Sequence, residues 1–346
     1  MERRTLGRTG ISVSEYALGT MMLGAWGNTD HDDAVRMVHT ALDAGINLVD
    51  TADMYSDGES ERIVGRALKG RRDDVVLATK FNNPMGPDLN HRGNSRRWIV
   101  RAVEDSLRRL DTDWIDLYQV HRPDPGTDID ETLSALSDLV RSGKVRAIGT
   151  STFPAEEIVE AQWTASERGH VRPRSEQPPY SILARGIERD VLPTAARYGM
   201  GVLTWSPLSA GWLSGKYGGP DGGDPTSAHR GGVLGDALAP MFDPKLPGNA
   251  AKLVAVTELK KVAADAGVTL PHLATAFVRE HPAVTSVLIG PRTHEQLEDL
   301  LAGVDVRLDG EVLDRIDEIV PPGTDVSRDM VFYEPPSLTD PRLRRR

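Results

Sequence analysis

A carboxylate, a phenol, an ammonium and an imidazole stand at the ends of successive apolar runs. Asp50 and Tyr55 lie in NLVDTADMY, Lys80 ends VVLATK, and His121 ends IDLYQVH. In a repeating strand–helix barrel such positions share the C-terminal rim, where that architecture keeps its chemistry. Together they suit delivery of a proton to an oxygen that becomes negative as hydride reaches its carbon. A free phenol, with a pKa near ~10, donates poorly at neutral pH. An ammonium within ~4–6 Å favours the phenolate, and a buried ammonium needs a carboxylate partner. These needs assign Lys80 to the phenol and Asp50 to Lys80. His121 could align a carbonyl oxygen or relay the proton. Any one of the four could be an ordinary polar residue at a barrel rim. Their recurrence at the ends of different strands carries the reading.

Hydride requires a cofactor, because no side chain supplies it. No G-x-G-x-x-G follows the first strand, which argues against a Rossmann site. GWLSGKY resembles a P-loop only superficially, since Tyr217 follows Lys216 where Ser or Thr is needed. A strand–helix barrel offers another phosphate site in the loops after strands seven and eight. SPLSAGWLSGKY and IGPRTHEQ fall there, with hydroxyls, glycine amides, Lys216 and Arg292. Arg292 also precedes a predicted helix, whose first amides attract anions. Trp205 ends strand seven, where it could stack on a nicotinamide ring or pack in a core. No H-x-x-x-H pair accompanies His121, so no metal is expected.

The elements that must position these groups alternate regularly. After an N-terminal hairpin come the strand-like runs EYALGTM, NLVDTA, VVLATK, IDLYQVH, VRAIGTS, SEQPPYS, GVLTWSP and TSVLIG. Helical patterns are expected over Asp32–Asp43, Glu59–Leu68, Ser95–Leu110, Asp130–Ser142, Pro154–Arg168 and Arg189–Tyr198, and in THEQLEDLLAG. Ser95 and Asp130 suit N-caps; Gly45, Gly143, Gly199 and Gly303 suit left-handed helix ends. Eight strand–helix units predict an α/β chain closed into a (β/α)₈ TIM barrel, one domain over 1–346. A Gly- and Pro-rich stretch over about 211–249 is expected as a long loop, a lid or a passive insertion. A Pro-rich tail is expected over 321–346.

The 346 residues contain no cysteine, which excludes disulfides, thiolate catalysis and Cys-type zinc. A formal net charge of -10 disfavours nonspecific nucleic-acid binding. MERRTLGRTGISVSEY has no apolar core or small-residue cleavage site, and no run approaches a membrane span. The cytoplasm is therefore the default location, without membrane insertion.

Over almost its whole length the sequence resembles the aldo-keto reductases. LGRTGISVSEYALGTMMLG is similar to that family's opening hairpin and first strand. GINLVDTADMY, ATKF and YQVHRPDP carry its Asp, Tyr, Lys and His, and GKVRAIGTSTF, SEQPPYS, TWSPLSAGWLSGKY and IGPRTHEQLEDL follow in order. The TWSPL and SGKY segments are similar to the branch holding potassium-channel β-subunits and their bacterial enzyme relatives. The resemblance implies NADP(H) across the C-terminal face, with Tyr55 as proton donor, Asp50 and Lys80 tuning it, and His121 orienting the carbonyl. It implies Ser151 and Gln177 at the carboxamide and Trp205 on the ring. Ser206, Pro207, Leu208, Ser209, Gly211 and Lys216 would follow the pyrophosphate. Gly290, Arg292, Gln296 and Asp299 would take the adenosine end. Gly19, Thr20 and Met21, at the end of the first strand, join the cofactor set with Asp50. Arg292 suits the 2′-phosphate. Two positions depart from the family pattern: Thr152 replaces an Asn after the fifth strand, and Leu300 replaces one near the adenine. Channel β-subunits carry Asn where this chain keeps His121.

The expected function is NADPH-dependent reduction of an aldehyde or ketone. A regulatory NADP(H)-binding protein of weak turnover, or a sugar or polyol dehydrogenase using the same site, are the alternatives. Met22, Trp26, Met54, Phe81 and His91 are expected to rim a partly apolar pocket for a small carbonyl substrate. Proteins of this kind occur as monomers and as tetramers.

Overall fold

A computed structural model describes residues 1–218, 223, 239–243, 245–328 and 333–343. Strands β1 (Arg3–Thr5) and β2 (Ser12–Ser14) form an antiparallel hairpin with Arg4 opposite Val13. The first half of the barrel is β3 (Tyr16–Gly19), α1 (His31–Asp43), β4 (Leu48–Asp50), α2 (Glu59–Leu68), β5 (Val76–Phe81), α3 (Arg96–Leu110), β6 (Ile115–Val120) and α4 (Ile129–Arg141). The second half is β7 (Val145–Ser151), α5 (Ala155–Arg168), β8 (Ser175–Gln177), α6 (Val191–Tyr198), β9 (Gly201–Thr204), α7 (Pro247–Asp265), α8 (Leu270–Glu280), β10 (Ser286–Ile289) and α9 (His294–Ala302). α10 (Gly310–Ile319) and the short α11 (Pro336–Thr339) follow. The eight strands β3 to β10 close into a parallel barrel, β10 pairing with both β3 and β9.

Period-two alternation sorts each strand into a lumen face and a helix face. In β5, Ala78 belongs to an inner apolar cluster with Ala17, Leu48, Leu117, Ala147 and Leu203, while Leu77 and Phe81 join the outer cluster beneath the helices. Leu6 and Val13 of the hairpin join the inner cluster and are fully buried. The hairpin therefore fills the barrel's N-terminal mouth, and the C-terminal mouth is left for the polar side chains. Parallel register sets Lys80 beside Gln119, Gln119 beside Gly149, and Ser151 beside Gln177. Gly149 is required by packing, because a Cβ there would collide with Ser175 Oγ and press on Gln119.

Several local expectations need correction. Asp128, not Asp130, caps α4: its extended backbone precedes the first helical residue and its carboxylate accepts from the Asp130 N–H. Ser95 does cap α3, accepting from the Trp98 N–H. Gly45, Gly143 and Gly199 have φ of +97°, +80° and +64°, but Gly303 sits at -83°. Gly303 is small because the His272 ring lies where a Cβ would go. The sixth barrel strand stops at Gln177, as Pro178 and Pro179 supply no N–H to the ladder. α7 and α8 occupy the interval before β10 where no helix was expected, and α7 begins at Pro247, inside the stretch read as loop to Asn249. Residues 219–222, 224–238 and 244 of that stretch, expected as a lid or a passive insertion, lie outside the described residues, as do 329–332 and 344–346 of the tail. Among the described residues no helix is long and apolar enough to cross a membrane.

Candidate functional site

The barrel brings the four rim groups together. Asp50 ends β4, Lys80 lies next to the end of β5, and His121 directly follows β6. Lys80 is fully buried, and its ammonium uses all three donors: an ion pair with Asp50 Oδ1, the Thr51 carbonyl at 2.8 Å and the Tyr55 hydroxyl at 3.3 Å. Burial alone would lower the Lys80 pKa, but the Asp50 charge and hydrogen bond outweigh it and hold it above the usual value. Asp50 Oδ2 accepts from Gln177 Nε2 at 2.9 Å and from Gln119 Nε2 at 3.2 Å. Gln119 was not foreseen. Its signal was available: it shares the lumen face of β6 two residues before His121.

Tyr55 is half-buried in a short 3₁₀ turn, where Ser56 and Asp57 adopt φ of +49° and +53°. Its ring meets the His121 ring edge-on at 5.9 Å and the Trp26 ring at 6.1 Å. The His121 pKa lies well below the usual value, first because of burial, then because Arg122 and Lys80 are cationic neighbours. At neutral pH the imidazole is uncharged. Asn83 Nδ2 lies 3.0 Å from His121 Nδ1. Arg122 donates to the His121 carbonyl at 2.6 Å and to Thr152 Oγ1 at 3.0 Å.

The residues expected at a carboxamide are joined to Asp50 through Gln177. Ser151 Oγ donates to the Gln177 carbonyl at 2.9 Å, and Trp205 Nε1 donates to the same oxygen at 3.2 Å. Thr152 adopts φ of +61°, a costly conformation for a β-branched residue and one that Asn takes readily. Glu176, missed by sequence reading, is buried below this segment. It accepts from Thr150 Oγ1 at 2.5 Å and from the Phe153 N–H at 3.1 Å, and burial raises its pKa to about 7.

After β9 the backbone turns through an unusual run: Ser206, Ser209, Ala210 and Gly211 have φ of +60°, +49°, +54° and +104°. Pro207 and Leu208 lie within it, and Ser206 Oγ accepts from the Ala210 N–H at 2.8 Å. Among the described residues, Ser209 Oγ and Ser214 Oγ are buried without a protein partner. A cavity of about 420 Å³ follows, lined by Ser214, Gly215, Lys216, Lys260 and Asp299 among others. Asp50, Tyr55, Lys80 and His121 do not line it. Arg292 is exposed, its N–H held by Gln296 Oε1 at 2.9 Å. Asp299 is exposed and its carbonyl accepts from His272 at 2.7 Å. A Cβ at Gly290 would meet only the Gly19 carbonyl, at 4.0 Å. Thr20 is buried and bonds the Asp50 carbonyl through N–H and hydroxyl at 3.0 and 3.1 Å, while Met21 is exposed. Orphaned hydroxyls, two lysines and open glycine backbone fit a phosphate-bearing dinucleotide. Leu300 is buried in the outer apolar cluster.

Two expected pocket residues are elsewhere. Phe81 points outward from β5 and stacks on Tyr118 at 4.8 Å, so it forms no pocket wall. His91 stacks on Trp98 at 5.3 Å and lines a separate cavity of about 130 Å³ with Asp53, Met85 and Arg109. Met22 and Met54 are half-buried. Among the described residues no group of three or more His, Asp or Glu could hold a metal ion.

Residues 16–321 match the sequence pattern of the Aldo/keto reductase family. The chain is 40% identical over 333 residues to the uncharacterized oxidoreductase YrpG of Bacillus subtilis (strain 168), spanning 93% of this chain and 96% of that one. It is 38% identical over 307 residues to the aldo-keto reductase YhdN of the same organism, spanning 87% and 88%. It is 35% identical over 332 residues to a probable voltage-gated potassium channel subunit beta of Oryza sativa subsp. japonica, spanning 92% and 97%.

Proposed function

Because the chain belongs to the aldo/keto reductase family, a family of oxidoreductases, we propose that it reduces an aldehyde or ketone to an alcohol with NADPH. The carrying observation is the shared bonding of Lys80 to Asp50 and to the Tyr55 hydroxyl. NADPH, when bound, supplies hydride to the carbonyl carbon. Tyr55 gives its proton to the carbonyl oxygen, and the phenolate left behind faces the Lys80 ammonium. Asp50 keeps that ammonium charged inside the barrel. His121 holds the carbonyl oxygen beside Tyr55, and Trp26 closes the apolar side of the pocket. Ser151 and Gln177 would hold the carboxamide, Trp205 the ring face, and the Ser206–Gly211 turn with Lys216 the pyrophosphate. Gly290, Arg292, Gln296 and Asp299 would hold the adenosine end, with the Arg292 fork on the 2′-phosphate.

A regulatory reading draws on the likeness to the rice channel subunit. His121 weighs toward the enzyme, since it brings a neutral hydrogen-bonding ring to the phenol. Oxidation of a polyol would use the same groups in reverse. The test is steady-state oxidation of NADPH by the purified chain with a panel of aldehydes and ketones. Turnover supports the reductase; NADPH binding without turnover on any carbonyl supports the regulatory reading.

A further inference from the structure

His121 is neutral, so it carries one proton and that proton has two places to sit. Which nitrogen holds it is set by the hydrogen bond made at the other. Nδ1 faces Asn83 Nδ2 at 3.0 Å. With the amide nitrogen turned to the ring, Asn83 donates and Nδ1 accepts, which leaves the proton on Nε2.

The backbone is built to keep Asn83 in that place. Asn82, immediately before it, adopts φ of +126°, a region L-residues rarely occupy. Such strain persists only where surrounding structure over-determines it. Here the Asn82 side chain donates to Asn94 Oδ1 at 2.9 Å and its carbonyl accepts from the Gly93 N–H at 2.7 Å. Asn94 in turn donates to the Arg122 carbonyl at 3.2 Å and to Asp124 Oδ2 at 2.9 Å. The loop carrying Asn83 is thereby tied to the loop carrying His121. The charged and titratable groups around the imidazole are Tyr55 from the β4 loop, Lys80 from β5 and its neighbour Arg122. Both cations oppose a second proton, so the ring must act as a neutral donor.

We propose that Asn83 is a positioning residue: its side-chain amide donates to His121 Nδ1 and fixes the imidazole proton on Nε2, where it donates to the substrate's carbonyl oxygen. The assignment deepens the reductase reading and rests on it for its consequence, although the tautomer itself can be read without turnover. An aspartate at this position reverses the polarity, because a carboxylate can only accept and draws the proton to Nδ1. A leucine removes the partner without reversing it.

The test is ¹⁵N-histidine labelling of the full chain, with His121 assigned by comparison with His121→Asn. The native protein is expected to show a protonated Nε2 and bare Nδ1. Asn83→Asp should show protonation at Nδ1, lose about 10- to 100-fold in kcat/KM, as loss of an orienting partner behind a reacting group does, and bind NADPH unchanged. It should also gain a pH dependence near neutrality, since the new carboxylate favours the imidazolium. Asn83→Leu should show a mixture of tautomers and a smaller loss. A native protein with its proton on Nδ1 would overturn the assignment. So would a moved proton in Asn83→Asp with kcat/KM unchanged. A native protein inactive on every carbonyl would instead defeat the reductase reading, and the tautomer measurement would still decide the role of Asn83.

Discussion

Gln177 and Asp50 stand 127 residues apart in the chain and 2.9 Å apart in the barrel, the amide of one donating to the carboxylate of the other. With Gln119 on the same oxygen and Lys80 on its twin, Asp50 is held from three other strands. Asp50→Asn would leave the Lys80 ammonium, with only 1% of its side chain exposed, facing no anion. Breaking one side of a buried pair costs about 3–5 kcal/mol. Urea unfolding should show a loss of that order, and a loss below about 1 kcal/mol would mean that the lysine finds its compensation elsewhere.

Tyr55→Phe removes the hydroxyl 3.3 Å from Lys80 and little else. Loss of a general acid costs about 10²–10⁴ in rate. We expect kcat to fall by that factor while fluorescence titration gives an unchanged NADPH Kd. Native turnover in this variant would remove Tyr55 from the chemistry.

Arg292 is exposed beside the entry to α9, with its backbone N–H bound to Gln296. If its guanidinium meets the 2′-phosphate, Arg292→Ala should weaken NADPH about 10- to 100-fold, the worth of one hydrogen bond to a charged group. NADH, which has no phosphate there, should hardly change. Equal losses for both would assign Arg292 a structural role.

Glu176 makes stability depend on pH. Burial raises its carboxyl from 4.5 to about 7, against the smaller pull of its Thr150 and Phe153 hydrogen bonds. Between those values the folded protein holds a proton that the unfolded chain has released. Stability should therefore fall as pH rises through that window, the cost being absent below it and complete above it. Glu176→Gln is neutral throughout and lacks this slope. Thermal midpoints of the two proteins should shift in favour of the variant as pH rises from 4.5 past 7. A gap independent of pH would show that the carboxyl titrates normally.

The barrel was legible because its strands are short apolar runs alternating with helical patterns, and Asp50, Lys80 and His121 stand at or beside the ends of β4, β5 and β6, with Tyr55 in the turn that follows Asp50. The helices between β9 and β10 were harder to read. α7 buries Asn249 and Lys252 along with alanines and valines, so its polar and apolar residues do not separate cleanly. Phe81 was misplaced by treating the strand end as pocket, although alternation from the inward Lys80 turns it outward. Asn83 and Glu176 carry no signal of their own. Their significance comes from partners 38 and 23 residues away, a distance that only the closed sheet removes.

Tyr55, Lys80, His121 and Asn83 come from the segments of β4 to β6, whereas Trp205, Lys216 and Arg292 follow β9 and β10. On the reductase reading, the proton donor and the phosphate contacts are thus carried by different parts of the ring, so substitutions over residues 22–30 are free to alter the choice of carbonyl while the turn after β9 keeps its hold on the coenzyme.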